Sequence, residues 1–236
     1  MDRNATHFVV PVGSPLWWAM NLGLLAALVA VIGLTRKSDQ AQRERIGRYL
    51  AGLLLVNFLV NHAVLTYRCV WDLQTCLPLH LCSLSVLLSI YMLWTRKPLA
   101  YETAIFWGAG AVHSFITPES TTGGGTYELW EYSISHGGII LAGLYATMRL
   151  GMVPRSGSWW KVFLLTQILV PVIGLVNYLL GSNYMYLAQK PNADNPMIMG
   201  EWPWYIIALE AVVLIHFYAF YALHPAAVQL FVLRLG

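Results

Sequence analysis

Hydrophobic residues run along the chain in seven long blocks, about 15–34, 49–66, 78–95, 99–116, 128–149, 159–181 and 202–223, each separated from the next by a short polar stretch. A hydrocarbon core about 30 Å thick takes about 20 apolar residues of helix, and every block comes near that length. Trp and Tyr gather at the block ends (Trp17 and Trp18, Trp94, Trp130, Trp159 and Trp160, Trp202 to Tyr205), where an interfacial belt of amphipathic rings belongs. The pattern predicts an all-α, polytopic membrane bundle of seven transmembrane helices in one domain spanning residues 1–236. Residues 225–236 read as a frayed or interface-lying tail, and no internal repeat or low-complexity tract interrupts the series.

Composition sharpens this picture. Hydrophobic residues make up 58% of the chain and charged residues 11%, against about 45–50% and about 25% for a soluble domain; mean hydropathy is +0.58. The first block follows Asp2 and Arg3 without a basic run or a small-residue cleavage site, and so reads as a retained helix rather than a signal peptide. The net charge of +3 forms no basic patch, which speaks against nucleic acid as a partner. Its distribution sets topology. Eleven of the fourteen Lys and Arg (Arg36, Lys37, Arg43, Arg45, Arg48, Arg96, Lys97, Arg149, Arg155, Lys161 and Arg234) follow blocks one, three, five and seven, leaving Arg3, Arg68 and Lys190 on the other side. The positive-inside rule then puts the N-terminus outside and the C-terminus in the cytoplasm. A multi-pass protein of a bacterial plasma membrane is expected.

Ionisable groups inside spanning helices are costly and point to function. Here they are His62, His80, His113, His136, His216, Glu102, Glu210 and Cys82, with the amides Asn57, Asn61 and Asn177. At about 1.5 Å per residue, Cys82, His113 and Asn177 fall about 6 Å below the outer edge, His62 about 8 Å, and His136 and Glu210 about 12 Å. Six helices would thus contribute polar groups to one slab. His216 counts to about 21 Å and reads as an interhelical hydrogen bond, while Glu102, near the cytoplasmic end, reads as a structural anchor. His80 is two residues from Cys82, a spacing that turns side chains to different faces of a helix. A lone membrane cysteine is ordinarily an inert small hydrophobe. A histidine at matching depth changes that, because imidazole can take the thiol proton and a thiolate attacks carbonyls. Gly137 and Gly138, after His136, allow another helix or an acyl chain to approach closely.

The stretch Leu77-Pro78-Leu79-His80-Leu81-Cys82 resembles the signature of the bacterial YwaF-like integral membrane family. Further resemblances are Tyr101-Glu102 through Phe106-Trp107-Gly108, Thr117-Pro118-Glu119, Ser135-His136-Gly137-Gly138, Gly174 through Tyr178, Gly181 through Leu187, Lys190-Pro191 and Trp202-Pro203-Trp204-Tyr205. That family is similar to the animal transmembrane protein 164, a cysteine-dependent acyltransferase that remodels ether phospholipids. The resemblance implies a thioester on Cys82 with His136 as its histidine, membrane phospholipid as acyl donor and acceptor, and neither cofactor nor metal. This chain carries His113 before the Thr-Pro-Glu loop where the family pattern has glutamine. By depth, Glu210 could orient the histidine and Asn177 could donate to an oxyanion, with His62, His80 and His113 as further supporting or substrate-binding residues and 181–201 as an outer lid. Two other readings stay open: a zinc-dependent lipid hydrolase using His62, His113 and His136, and a small-solute transporter or sensor. A bis-histidine haem protein lacks the paired histidines it would need. A retinal receptor is excluded, since Lys37, Lys97, Lys161 and Lys190 all lie in loops or at a helix end.

Overall fold

The computed structural model describes residues 8–191 and 198–235, with side chains described through residue 224. Among the described residues it contains seven α-helices: α1 (Pro15–Leu34), α2 (Gln40–Tyr67), α3 (Leu81–Thr95), α4 (Pro98–Ile116), α5 (Thr126–Met148), α6 (Ser158–Leu180) and α7 (Trp204–Leu235). The end at which α1, α3, α5 and α7 begin is called upper below. Four helices, α1, α2, α6 and the Trp204–His224 part of α7, are long and apolar enough to cross a membrane. The expected count of seven spans is thus met in helix number but not helix by helix. α3 has 15 residues, a rise of about 22 Å, short of a core about 30 Å thick. Two further departures are positional. α2 starts nine residues before its apolar block, at a capping box in which Asp39 Oδ1 accepts the Gln42 N–H at 2.8 Å, since a helix follows its cap rather than its hydropathy. The tail expected to be frayed or interface-lying is helical, as the continuation of α7 to Leu235.

α4 forms the centre, with ten of its 19 residues buried, including Tyr101, Phe106 and Ala111. It packs with α2, α3 and α5 around Ile90, Met92, Tyr101, Ile139 and Tyr145. α1 lies outside with only Met20 and Ile32 buried, and α6 and α7 pack on one another and on α4. α5 and α2 come together at Gly138, where a Cβ would overlap Leu54 Cδ2. That is the close helix approach expected of the Gly pair.

Two features shape the upper end. Phe8–Val9 (β1) pairs antiparallel with Glu119–Ser120 (β2), Val9 opposite Glu119, and ties the N-terminal segment over the α4–α5 connection. α6 ends at Gly181, whose φ of 64° a residue without Cβ adopts at no steric cost. The chain then folds back as a 3-10 turn, Tyr184–Tyr186. Residues 192–197 of the expected outer lid, and Arg3 of the charge argument, lie outside the described residues.

Candidate functional site

α3 is short and begins only at Leu81. His80 takes an extended N-cap conformation (φ −68°, ψ 145°), and the first intrahelical bond runs from Leu84 N–H to His80 O at 3.0 Å. Cys82 is therefore the second residue of the helix, among first-turn N–H groups that have no intrahelical acceptor and create a field favouring negative charge. Its thiol faces two side chains, the His136 imidazole on α5 and the Ser114 hydroxyl near the end of α4. Both Cys82 and His136 are half-buried.

The histidine is held by its own helix. His136 Nδ1 lies 2.9 Å from Tyr132 O; a carbonyl only accepts, so Nδ1 carries the proton and Nε2 is left to take one from the thiol. The Tyr132 ring lies against the imidazole at 4.1 Å, tilted by 31°, and its hydroxyl donates to Ser114 O at 2.8 Å. The carboxylate near His136 is Glu131, which accepts from Ser135 Oγ at 2.6 Å and from Asn57 Nδ2 at 3.5 Å.

The 3-10 turn caps this cluster. Asn177, 5% exposed, donates to Tyr184 O (2.9 Å) and accepts from Tyr184 N–H and Ser182 Oγ, each at 2.8 Å. The Tyr184 hydroxyl donates to Leu73 O and accepts from Leu77 N–H, both at 2.9 Å, which joins the cap to the loop leading into α3. Met185 and Tyr186 both adopt positive φ, 57° and 56°. They bring the Tyr186 phenol within electrostatic reach of Glu119, Cys82 and Tyr132 and its ring 5.6 Å from that of His80. Burial first, then the Glu119 carboxylate, raises the Tyr186 phenol and keeps it protonated.

The slab read from the sequence thus divides into separate groups, because depth fixes height but not azimuth. Cys82 and His136 meet. His80 turns to the cap, where Nδ1 accepts the Met185 N–H at 3.3 Å. Asn177 is committed to the cap and is not a free oxyanion donor. Glu210 accepts from Gln167, since α7 packs on α6 and α4; it does not orient His136. His62 accepts from Trp71 Nε1 at 3.2 Å near the end of α2. His113 pairs with His216, Nε2 to Nε2 at 3.3 Å, so His216 lies level with His113 rather than far below it. Helices that start and stop at different heights break a depth count. His216 is nevertheless the interhelical hydrogen bond expected, and Glu102 the anchor, accepting from Arg155 N, Nε and Nη2, each at 2.8 Å.

These placements bear on the rival readings. His62, His113 and His136 have three different partners, and among the described residues no three His, Cys, Asp or Glu side chains gather as a metal would require. The direct His113–His216 contact leaves no room for a haem between the rings. Ser114, Tyr132, Glu131, Glu119 and Tyr186 were not singled out as site residues from the sequence. Tyr132 was findable, since it lies four residues before His136 on the same helix face; Glu119 and Tyr186 stood in the family-like motifs without a role.

An all-helical bundle with four membrane-length apolar helices and a polar cluster sunk into one end defines a multi-pass membrane protein. The model of the TMEM164 family matches residues 7–221, and the chain belongs to that family. The relation to transmembrane protein 164 expected from the motifs is therefore shown, under that name rather than the YwaF-like one. No curated protein and no solved structure matches the chain.

Proposed function

We propose that the chain is a membrane-embedded acyltransferase that moves a fatty acyl group from a phospholipid through a thioester on Cys82. The observation that carries this reading is the side-chain contact between Cys82 and His136, made across two helices under a hydrogen-bonded cap. His136 Nε2 takes the thiol proton as Sγ attacks the ester carbonyl. The C–O bond to the glycerol oxygen then breaks, and that oxygen leaves with the proton held by His136, giving a lysolipid and the acyl-enzyme. A second lipid hydroxyl attacks the thioester, passes its proton to His136 and restores the thiol; water in its place gives a free fatty acid. On this reading the first-turn N–H groups of α3 and the protonated Tyr186 phenol would serve as the donors to the oxyanion.

The finer topology belongs to the same proposal: seven spans in a bacterial plasma membrane, upper end outside, C-terminus cytoplasmic, so that lipid enters from the outer leaflet. Reporter fusions at the two termini test it, and two cytoplasmic readings would overturn it. For the chemistry, Cys82→Ala and His136→Ala should each abolish turnover of a defined phospholipid, with the double variant little worse than either single, as for residues acting as a unit. Near-normal turnover by folded Cys82→Ala protein would eliminate the thiol mechanism.

A further inference from the structure

The residue before His136 belongs to a second polar group, shared by α5 and α2. Ser135 Oγ donates to Glu131 Oε1 at 2.6 Å and accepts from Asn57 Nδ2 on α2 at 2.9 Å. Asn57 Nδ2 also reaches Glu131 Oε1, at 3.5 Å. All three residues are half-buried, and the bonds all lead to the carboxylate, which only accepts. One turn nearer the upper end, Arg68 pairs with Glu128 and lies over the Tyr127 ring, while Tyr127 Oη donates to Asn61 Oδ1 at 3.4 Å. Among the described residues, Glu131 thus has neutral hydrogen-bond partners and no ion pair with a Lys or Arg.

A clasp between α2 and α5 needs only the Asn57–Ser135 bond. A carboxylate without a cationic partner adds nothing to that clasp and is costly inside a membrane bundle. The residue after Ser135 is His136, and the Glu131 charge reaches its imidazole. In a Ser-His-Asp triad one carboxylate both fixes the imidazole tautomer and stabilises the imidazolium that forms. Here Tyr132 O, 2.9 Å from Nδ1, fixes the tautomer, but a carbonyl brings no net charge. The Cys82 thiolate supplies a negative charge only until it is acylated. When the acceptor hydroxyl then passes its proton to His136, Glu131 is a standing negative charge within reach of the imidazolium.

We propose that Glu131, on the acyltransferase reading on which its role rests, is a positioning residue for His136, held by Ser135 and Asn57 so that its charge stabilises the imidazolium in both half-reactions. The test compares Glu131→Gln, which keeps the size and an acceptor oxygen, with a swap protein, Glu131→Gln with Asn57→Asp, which returns a carboxylate from the facing position on α2. In Glu131→Gln, kcat on a defined phospholipid should fall about tenfold, the low end of what a neighbouring opposite charge supplies. KM should not change, because the carboxylate acts through His136 and not on the lipid. Alkylation of Cys82 by iodoacetamide without lipid, in a Cys69→Ser, Cys76→Ser background, should slow by a similar factor, since the imidazolium favours the thiolate. The swap protein should recover most of both losses. Wild-type kcat and alkylation in Glu131→Gln would overturn the role of Glu131 and leave the thioester reading standing. A swap protein as slow as Glu131→Gln, or a rise in KM with kcat unchanged, would also overturn it, in favour of shape or of lipid binding. Absence of lipid turnover by the wild-type chain, with alkylation still slowed in Glu131→Gln and restored in the swap, would instead remove the acyltransferase reading and keep the hold of Glu131 on His136.

Discussion

Replacing Asn177 by alanine should open the cap over Cys82 without dismantling the bundle. Asn177 makes three hydrogen bonds of 2.8–2.9 Å to Ser182 and Tyr184, and these residues are 5%, 6% and 0% exposed, so water cannot readily replace the lost partner. At about 1 kcal/mol for each bond the change weakens the closed cap by about 3 kcal/mol, which raises the open fraction roughly 100-fold. Hydrogen exchange reads this directly at Ala188 and Gln189, whose N–H groups bond Asn183 Oδ1 at 3.0 Å and never touch Asn177. Their exchange should accelerate by about that factor if the cap opens as one local unit. In a Cys69→Ser, Cys76→Ser background, alkylation of Cys82 by a water-soluble maleimide should also accelerate. Unchanged exchange at Ala188 and Gln189, with unchanged alkylation, would refute the idea that Asn177 holds the turn closed.

Other perturbations follow the same reasoning. Gly138→Ala places a methyl in the space held by Leu54 Cδ2 and should destabilise by about 1–3 kcal/mol; denaturation of the pair with Leu54→Ala should show a compensating coupling. Glu102→Ala removes a fully buried acceptor of three bonds from Arg155, whose side chain is 54% exposed. With the guanidinium half solvated, the loss should be about 2 kcal/mol in thermal or denaturant unfolding, not the larger figure of a fully buried pair. The Cys69→Ser, Cys76→Ser protein should keep its lipid activity, because both thiols lie on the upper loop away from His136; loss of turnover in a folded sample would contradict this.

The helices were legible because apolar blocks of membrane length leave little choice of structure. What hydropathy did not reveal was where a helix begins: α2 starts at the polar Asp39–Gln42 box, and α3 starts only after the extended N-cap residue His80. Pairing of Phe8–Val9 with Glu119–Ser120 is two residues long on each side and carries no period to read. Cys82 and His136 were paired by their shared slab and by the family-like motifs around both, and their side chains do interact. Glu210 and His62 had comparable depths and do not join them, because residue counting along separate helices gives no angle about the bundle axis. His113 and His216 show the converse, counted some 15 Å apart yet in contact. The cap was legible as a Tyr- and Asn-rich segment, but its attachment through Asn177 and Tyr184 depends on side-chain reach that sequence spacing does not encode.

The central claim is that Cys82 carries the acyl group, and intact-mass analysis of purified protein incubated with a defined phospholipid and quenched in acid tests it most directly. The account expects one fatty-acyl mass on the protein, mapped to Cys82, released by hydroxylamine, and absent from the Cys82→Ala and His136→Ala proteins. Lipid turnover by the wild-type chain with no adduct on Cys82 under single-turnover conditions, or an adduct that persists in Cys82→Ala, would contradict it.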